Sequence, residues 1–126
     1  MVTDARKAAP RPQLWRIGGR RTFQALRRSR ARARSGCCSV TWMPPTDLTA
    51  PPRAGFAVGK PVGGAVVRNR IRRRLRAGLR ELQAADRLPG GTYLLGATAD
   101  AATVPWPQLI ASLDDAVINA TGSAAP

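Results

Sequence analysis

A chain of 126 residues with 21 basic and 7 acidic side chains and no histidine carries a formal net charge of +14. That length sets a single domain with a modest core, and the absence of imidazole removes His-based triads and His acid/base catalysis. The charge favours a polyanionic partner, met by fast and salt-sensitive association.

In chain order, residues 1–14 read as a flexible basic tail, with Asp4, Pro10 and Pro12 among alanines and basic residues. A short helix is expected over 22–28, with Thr22 as its N-cap and Phe23 and Leu26 on one face. The basic segment 30–34 begins a strand, and GCCSVTW at 36–42 is a second strand of small and β-favouring residues. Pro44, Pro45, Pro51 and Pro52 bracket a loop. Another strand spans 53–60, ended by Pro61, Gly63 and Gly64. A long basic helix follows over 65–84, then a turn at Pro89, Gly90 and Gly91, and a buried strand over 92–98. A last helix begins at Pro105 or Trp106, with Leu109, Ile110, Leu113, Val117 and Ala120 as its core stripe. Residues 121–126 are expected to fray, so the domain proper is 15–120. This order of helices and strands makes an α+β domain with one small sheet.

The stretch FAVGKPVGGAVVRNRIRRRLR at 56–76 is the most distinctive. Val66, Val67, Ile71, Leu75 and Leu79 recur at spacings of three and four, which describes a helix with one buried side. At about 100° per residue, Ile71, Leu75, Gly78, Leu79 and Leu82 share one arc, with Asn69, Arg72, Arg73, Arg76 and Arg80 opposite. Arg70 and Arg74 flank the apolar arc on one side and Arg68 on the other, where aliphatic stems cover core while charged ends reach solvent. Seven arginines lie between positions 68 and 80 with no acid until Glu81. Such a row gains nothing from i,i+4 pairing and repels itself, so an anionic partner accounts for it better than a merely solvated face.

The charge is also uneven along the chain. Residues 1–80 carry +18, from 20 bases and 2 acids, whereas 81–126 carry −4, from Arg87 against five acids. The few carboxylates are scattered; Asp114 and Asp115 are adjacent and diverge by about 100° on a helix, a weak metal pair. No catalytic residue and no metal site is expected. Cys37 and Cys38 are neighbours, too close for an unstrained mutual disulfide, and read as small buried strand residues. No run approaches the roughly 18 apolar residues of a membrane span, and the N-terminus lacks the apolar core of a signal peptide, so a cytoplasmic protein is expected.

The block GKPVGGAVVRNRIRRRLR resembles the signature of the bacterial ribonuclease P protein component, in which a Ser-Lys-Lys-like turn leads through Val-Gly-Asn-Ala into an Arg-Asn-Arg helix. RRTFQALRRSRARARSG upstream and LPGGTYLLGATADA downstream are similar to that family's first helix and last strand, so the likeness covers about residues 14–118. The resemblance implies a four-stranded sheet with about three helices, a ribosomal protein S5 domain 2-like fold with a left-handed βαβ crossover. It also implies a role as the protein subunit of a ribonucleoprotein endonuclease. There, a partner catalytic RNA uses bound Mg2+ to cleave the 5′ leader from precursor tRNA, and the protein alone is not catalytic.

Carried over residue by residue, the catalytic-RNA surface is Lys60, Arg68, Asn69, Arg70, Arg72, Arg73, Arg74 and Arg76. The 5′ leader is expected in a cleft between the first helix and the sheet, against Phe23, Arg27, Thr41 and Trp42. Arg27 stands where the family has a second aromatic, and Trp42 lies one place beyond an aromatic expected at Thr41, which puts it on the other side of the sheet unless a bulge intervenes. Phe23 and Trp42 read as either cleft or core residues, and Trp15 and Trp106 as packing residues or helix-end staples. The turn departs from the family at Gly59, Pro61 and Gly64, with Gly64 expected to allow positive φ. A ribosomal or RNA-chaperone protein without a role in cleavage is the alternative. A DNA-binding reading is weaker, because arginines covering the whole exposed arc suit backbone contacts more than base edges.

Overall fold

The computed structural model describes residues 15–16 and 20–123, with side chains described over 24–122. The expected basic tail at 1–14 and the last three residues fall outside that range. The elements are β1 (Trp15–Arg16), α1 (Arg20–Arg28), β2 (Arg32–Ser35), β3 (Cys38–Met43), β4 (Arg53–Ala57), a 3-10 turn at Lys60–Val62, α2 (Ala65–Ala84), β5 (Thr92–Ala97), a second 3-10 turn at Ala99–Ala102, and α3 (Trp106–Ser123).

The sheet runs β1-β4-β5-β3-β2. Four strands of ordinary length form an α+β mixed sheet, with the two-residue β1 added in parallel at the β4 edge. β4 and β5 are parallel neighbours, so α2 is the crossover between them, as parallel strands require. β2 and β3 form a hairpin, and β3 pairs antiparallel with β5.

Register divides the side chains between two faces. Cys38, Val40 and Trp42 lie opposite Ala97, Leu95 and Tyr93, and Ala54 and Phe56 continue that face onto β4. This face meets Ile71, Leu75, Leu79 and Leu82 of α2 and Leu109, Leu113, Ala116, Val117 and Ala120 of α3 in one core. Each fully buried aliphatic side chain contributes roughly 1.5–3 kcal/mol, and α2 supplies them on the stripe its periodicity predicts. Gly78 allows the close approach of α2 to α3, since a Cβ there would sit 2.8 Å from Leu113 Cδ2.

The second face carries Arg32 and Arg34 of β2, Ser39, Thr41 and Met43 of β3, and Thr92, Leu94 and Gly96 of β5. α1 packs against β3 and β5, and its Leu26 is fully buried yet stands apart from the main core, which places α1 over this second face. Arg32 fastens the end of α1, donating Nε to Ser29 O at 2.9 Å and Nη2 to Arg27 O.

Several boundaries differ from expectation for local reasons. α1 starts at Arg20, so Thr22 lies inside it and not at its N-cap; Arg20 and Arg21 are better helix formers than Thr22. β3 starts at Cys38, because Gly36 and Cys37 make the hairpin turn. β4 stops at Ala57, where the chain turns toward the 3-10 turn begun at Lys60 and Pro61. α3 continues to Ser123, past the end expected at 120; the Thr121 hydroxyl is satisfied by donating to Val117 O at 2.7 Å, one helical turn back. Both cysteines are buried free thiols, 3.9 Å apart at sulfur, and burial, with Cys37 alongside, pushes the Cys38 thiol up to about 12.

Candidate nucleic-acid interface

α2 leaves the Gly-rich turn with its first turn free of acids and without a side-chain cap, since Gly64 holds the N-cap position. The positive φ in the turn falls on Gly63 (156°), whereas Gly64 is at −71°; the chain reverses one residue earlier than expected, and Gly64 takes the extended conformation of an N-cap. Lys60 is exposed on the 3-10 turn just before the helix. Val66, counted with the apolar stripe in the sequence, is 82% exposed: it projects on the side opposite Ile71 and Leu75, and only Val67 packs against the core.

The arginines of α2 divide by what they touch. Arg72 donates Nη1 to Asn69 Oδ1 at 2.9 Å and Nη2 to Val58 O at 3.0 Å, which fixes it between the helix and the end of β4. Arg76 lies 5.3 Å over the Phe56 ring. Both sit half-buried on one flank with donors to spare, since a guanidinium has five. Arg68 is also half-buried, and its Nε is buried without a partner. Asn69, Arg70, Arg73 and Arg80 are exposed. Among the described residues the single ion pair is Arg87–Asp114 at 2.6 Å, so none of the described arginines of the helix is paired with a described acid.

Arg74 is engaged elsewhere. Its Nη1 donates to Ala101 O at 2.6 Å and its Nη2 to Val104 O, while Trp106 lies 5.8 Å from it and donates its own Nε1 to Glu81 at 3.0 Å. Its fork caps carbonyls of the 3-10 turn that leads to α3, so this arginine, placed on the catalytic-RNA surface in the sequence, already has part of its donor set spent within the fold. Arg74→Gln is therefore expected to lower stability by about 2 kcal/mol, from lost charge-assisted bonds, while leaving the salt dependence of RNA binding unchanged. Chemical denaturation and a salt titration check the two halves; a normal midpoint with a reduced slope would reverse the assignment.

On the other face, Arg27 and Thr41 border the space beside α1, Arg27 exposed and Thr41 half-buried. Phe23 is on α1, and its side chain is outside the described residues. Trp42 is a correction. β3 pairs without a bulge, so Trp42 points to the helix-covered face beside Tyr93, and its Nε1 donates to Gly90 O at 3.0 Å. Its indole packs and anchors a turn, away from any strand lying along the opposite face. Arg32 and Arg34, missed in the sequence, stand on that opposite face beside Ser39 and Thr41, around a hollow of about 310 Å³. Their i,i+2 spacing on a strand was the signal that could have found them.

The chain has counterparts among known proteins. A family model, Ribonuclease P, matches residues 12–121. The chain belongs to the ribonuclease P protein family. The ribonuclease P protein component of Thermus thermophilus is 41% identical over 101 residues, covering 80% of this chain and 56% of the relative. That of Thermobifida fusca is 39% identical over 109 residues, covering 81% and 73%. The chain thus spans little more than half the length of its Thermus relatives.

The ribonuclease P fold is found again in solved structures. A Staphylococcus aureus RNase P protein mutant with defective mRNA degradation activity superposes with a TM-score of 0.71 at 21% identity, covering 86% of this chain and 88% of that one. The RNase P protein from Thermotoga maritima gives 0.69 at 18% identity, covering 81% and 94%. Among the described residues, no three His, Cys, Asp or Glu side chains gather in one place. No helix among the described residues is long and apolar enough to cross a membrane.

Proposed function

We propose that this chain is the protein subunit of a cytoplasmic ribonuclease P, which binds a catalytic RNA and the 5′ leader of precursor tRNA and assists removal of that leader. The observation that carries this reading is the arginine face of α2, free of acids, next to the Lys60 turn on a family-wide fold. Lys60, Arg68, Asn69, Arg70, Arg72, Arg73 and Arg76 dock on the catalytic RNA. Arg72, held by Asn69 and Val58, offers a guanidinium already oriented, so little side-chain freedom is lost on binding.

The leader lies along the second sheet face under α1, against Phe23, Arg27 and Thr41, with Arg32 and Arg34 adding phosphate contacts. Single strands are held this way by a positive groove with stacking partners, with little dependence on sequence. Magnesium belongs to the RNA and substrate. The protein contributes charge: it neutralises phosphates so that two polyanions can approach.

Reconstitution tests the reading. The protein alone is expected not to cleave precursor tRNA; added to the cognate catalytic RNA, it is expected to lower the magnesium requirement and to favour substrate with a leader over mature tRNA. Robust cleavage by RNA-free protein, or no change in the RNA's magnesium dependence, would sink it. The second outcome combined with tight RNA binding would favour an RNA chaperone instead.

A further inference from the structure

Resting on the docking role of α2, we infer that its RNA contact extends beyond the Arg-Asn-Arg segment along an outer ridge of Arg73, Ala77 and Arg80, with Arg80 as a phosphate-binding residue at its far end. The buried residues Ile71, Leu75, Gly78, Leu79 and Leu82 fix the inward direction of the helix. At about 100° per residue, Arg73 and Arg80 lie within roughly 30° of the diametrically opposite direction. They are seven residues apart, about 10.5 Å along the axis.

Like Arg70, these two lack any internal task. Arg72, Arg74 and Arg76 are tied to Val58, Ala101 and Phe56. Arg80 is exposed and makes no described hydrogen bond, ion pair or ring contact. The residues three and four away on either side of it are Arg76, Ala77, Gln83 and Ala84, so none can neutralise it within the helix. The adjacent Glu81 accepts from Trp106 on another side of the helix. Two uncompensated guanidinium groups therefore project from the same side of the helix; along the axis between them stand Arg76 on one flank, drawn over the Phe56 ring, and the exposed methyl of Ala77 on the other, which leaves a notch on the Ala77 side. That notch lets a phosphodiester backbone come down between both forks, where a longer side chain would hold it off.

Two variants test this, each bound to the cognate catalytic RNA across a range of salt. Arg80→Gln, which breaks no internal contact, is expected to weaken binding several-fold and to reduce the slope of log K against log salt by about 0.7–0.9, one phosphate contact. Ala77→Glu places a carboxylate four residues after Arg73 and three before Arg80. It is expected to raise thermal stability slightly by pairing with both, and yet to weaken binding more than Arg80→Gln does. Wild-type affinity and slope in both variants, with the unaltered protein binding normally, would overturn the extended ridge and leave the docking role standing. Failure of the unaltered protein to bind the RNA would overturn both.

Discussion

Reversing charge at two exposed positions, Arg70→Glu with Arg73→Glu, is expected to abolish assembly with the catalytic RNA while leaving the fold intact. Neither side chain has an internal partner, and neither contributes to the core. Arg74 and Ala77 stand four residues beyond them, so the first new carboxylate gains a neighbouring cation and the second relieves like-charge crowding; helix stability is held or slightly raised. At the interface the same change removes two phosphate contacts and adds two repulsions. The salt slope should fall by about 1.4–1.8 and affinity by on the order of a hundredfold or more. Fluorescence binding at several salt concentrations, with thermal melts of the same samples, measures both. Assembly with unaltered affinity and slope would remove α2 as the docking element.

The largest effect on stability is expected at a residue remote from the arginines. Gly91 has φ +128°, and a Cβ there would lie 2.3 Å from Met43 O and 2.5 Å from Trp42 Nε1. One of these is backbone and the other a packed indole, so neither can yield cheaply. Gly91→Ala adds about 1–3 kcal/mol of backbone strain. It also displaces Trp42 from Gly90 O and disturbs the bond from Arg53 N to Gly91 O, at about 1 kcal/mol each. A loss of about 3–5 kcal/mol is a large share of the 5–15 kcal/mol by which domains are stable. Denaturant midpoints for Gly91→Ala and for Gly90→Ala as a control check it; equal midpoints would show that the turn accommodates the methyl.

The sequence was most legible where one physical pattern ran for many residues. The helix over 65–84 was readable to the residue, because its apolar stripe and its arginines are out of phase over more than five turns. The second helix stripe and the strand over 92–97 were also plain, each dominated by burial. β1 was not, since two residues carry no periodicity and pair only because β4 presents a free edge. The uses of individual arginines were equally hidden. Arg72, Arg74 and Arg76 look alike in sequence, but one meets a strand end, one a 3-10 turn and one an aromatic ring, all brought near by chain segments 14 to 30 residues away. Trp42 shows the opposite case. Strand parity alone argued that it faces away from Thr41, and the unbroken register of β3 bears that out.

The placement of α2 and α1 on opposite faces of one sheet sets the distance between the two surfaces. Packed layers lie about 10 Å apart, and a helix adds about 5 Å to its outer surface. On the proposed function, a leader held against the second face and an RNA held on the outside of α2 are therefore kept at least about 15 Å apart by the body of the protein. The domain is a spacer of set thickness. On the proposed function, it keeps the catalytic RNA and the leader on opposite faces of one body.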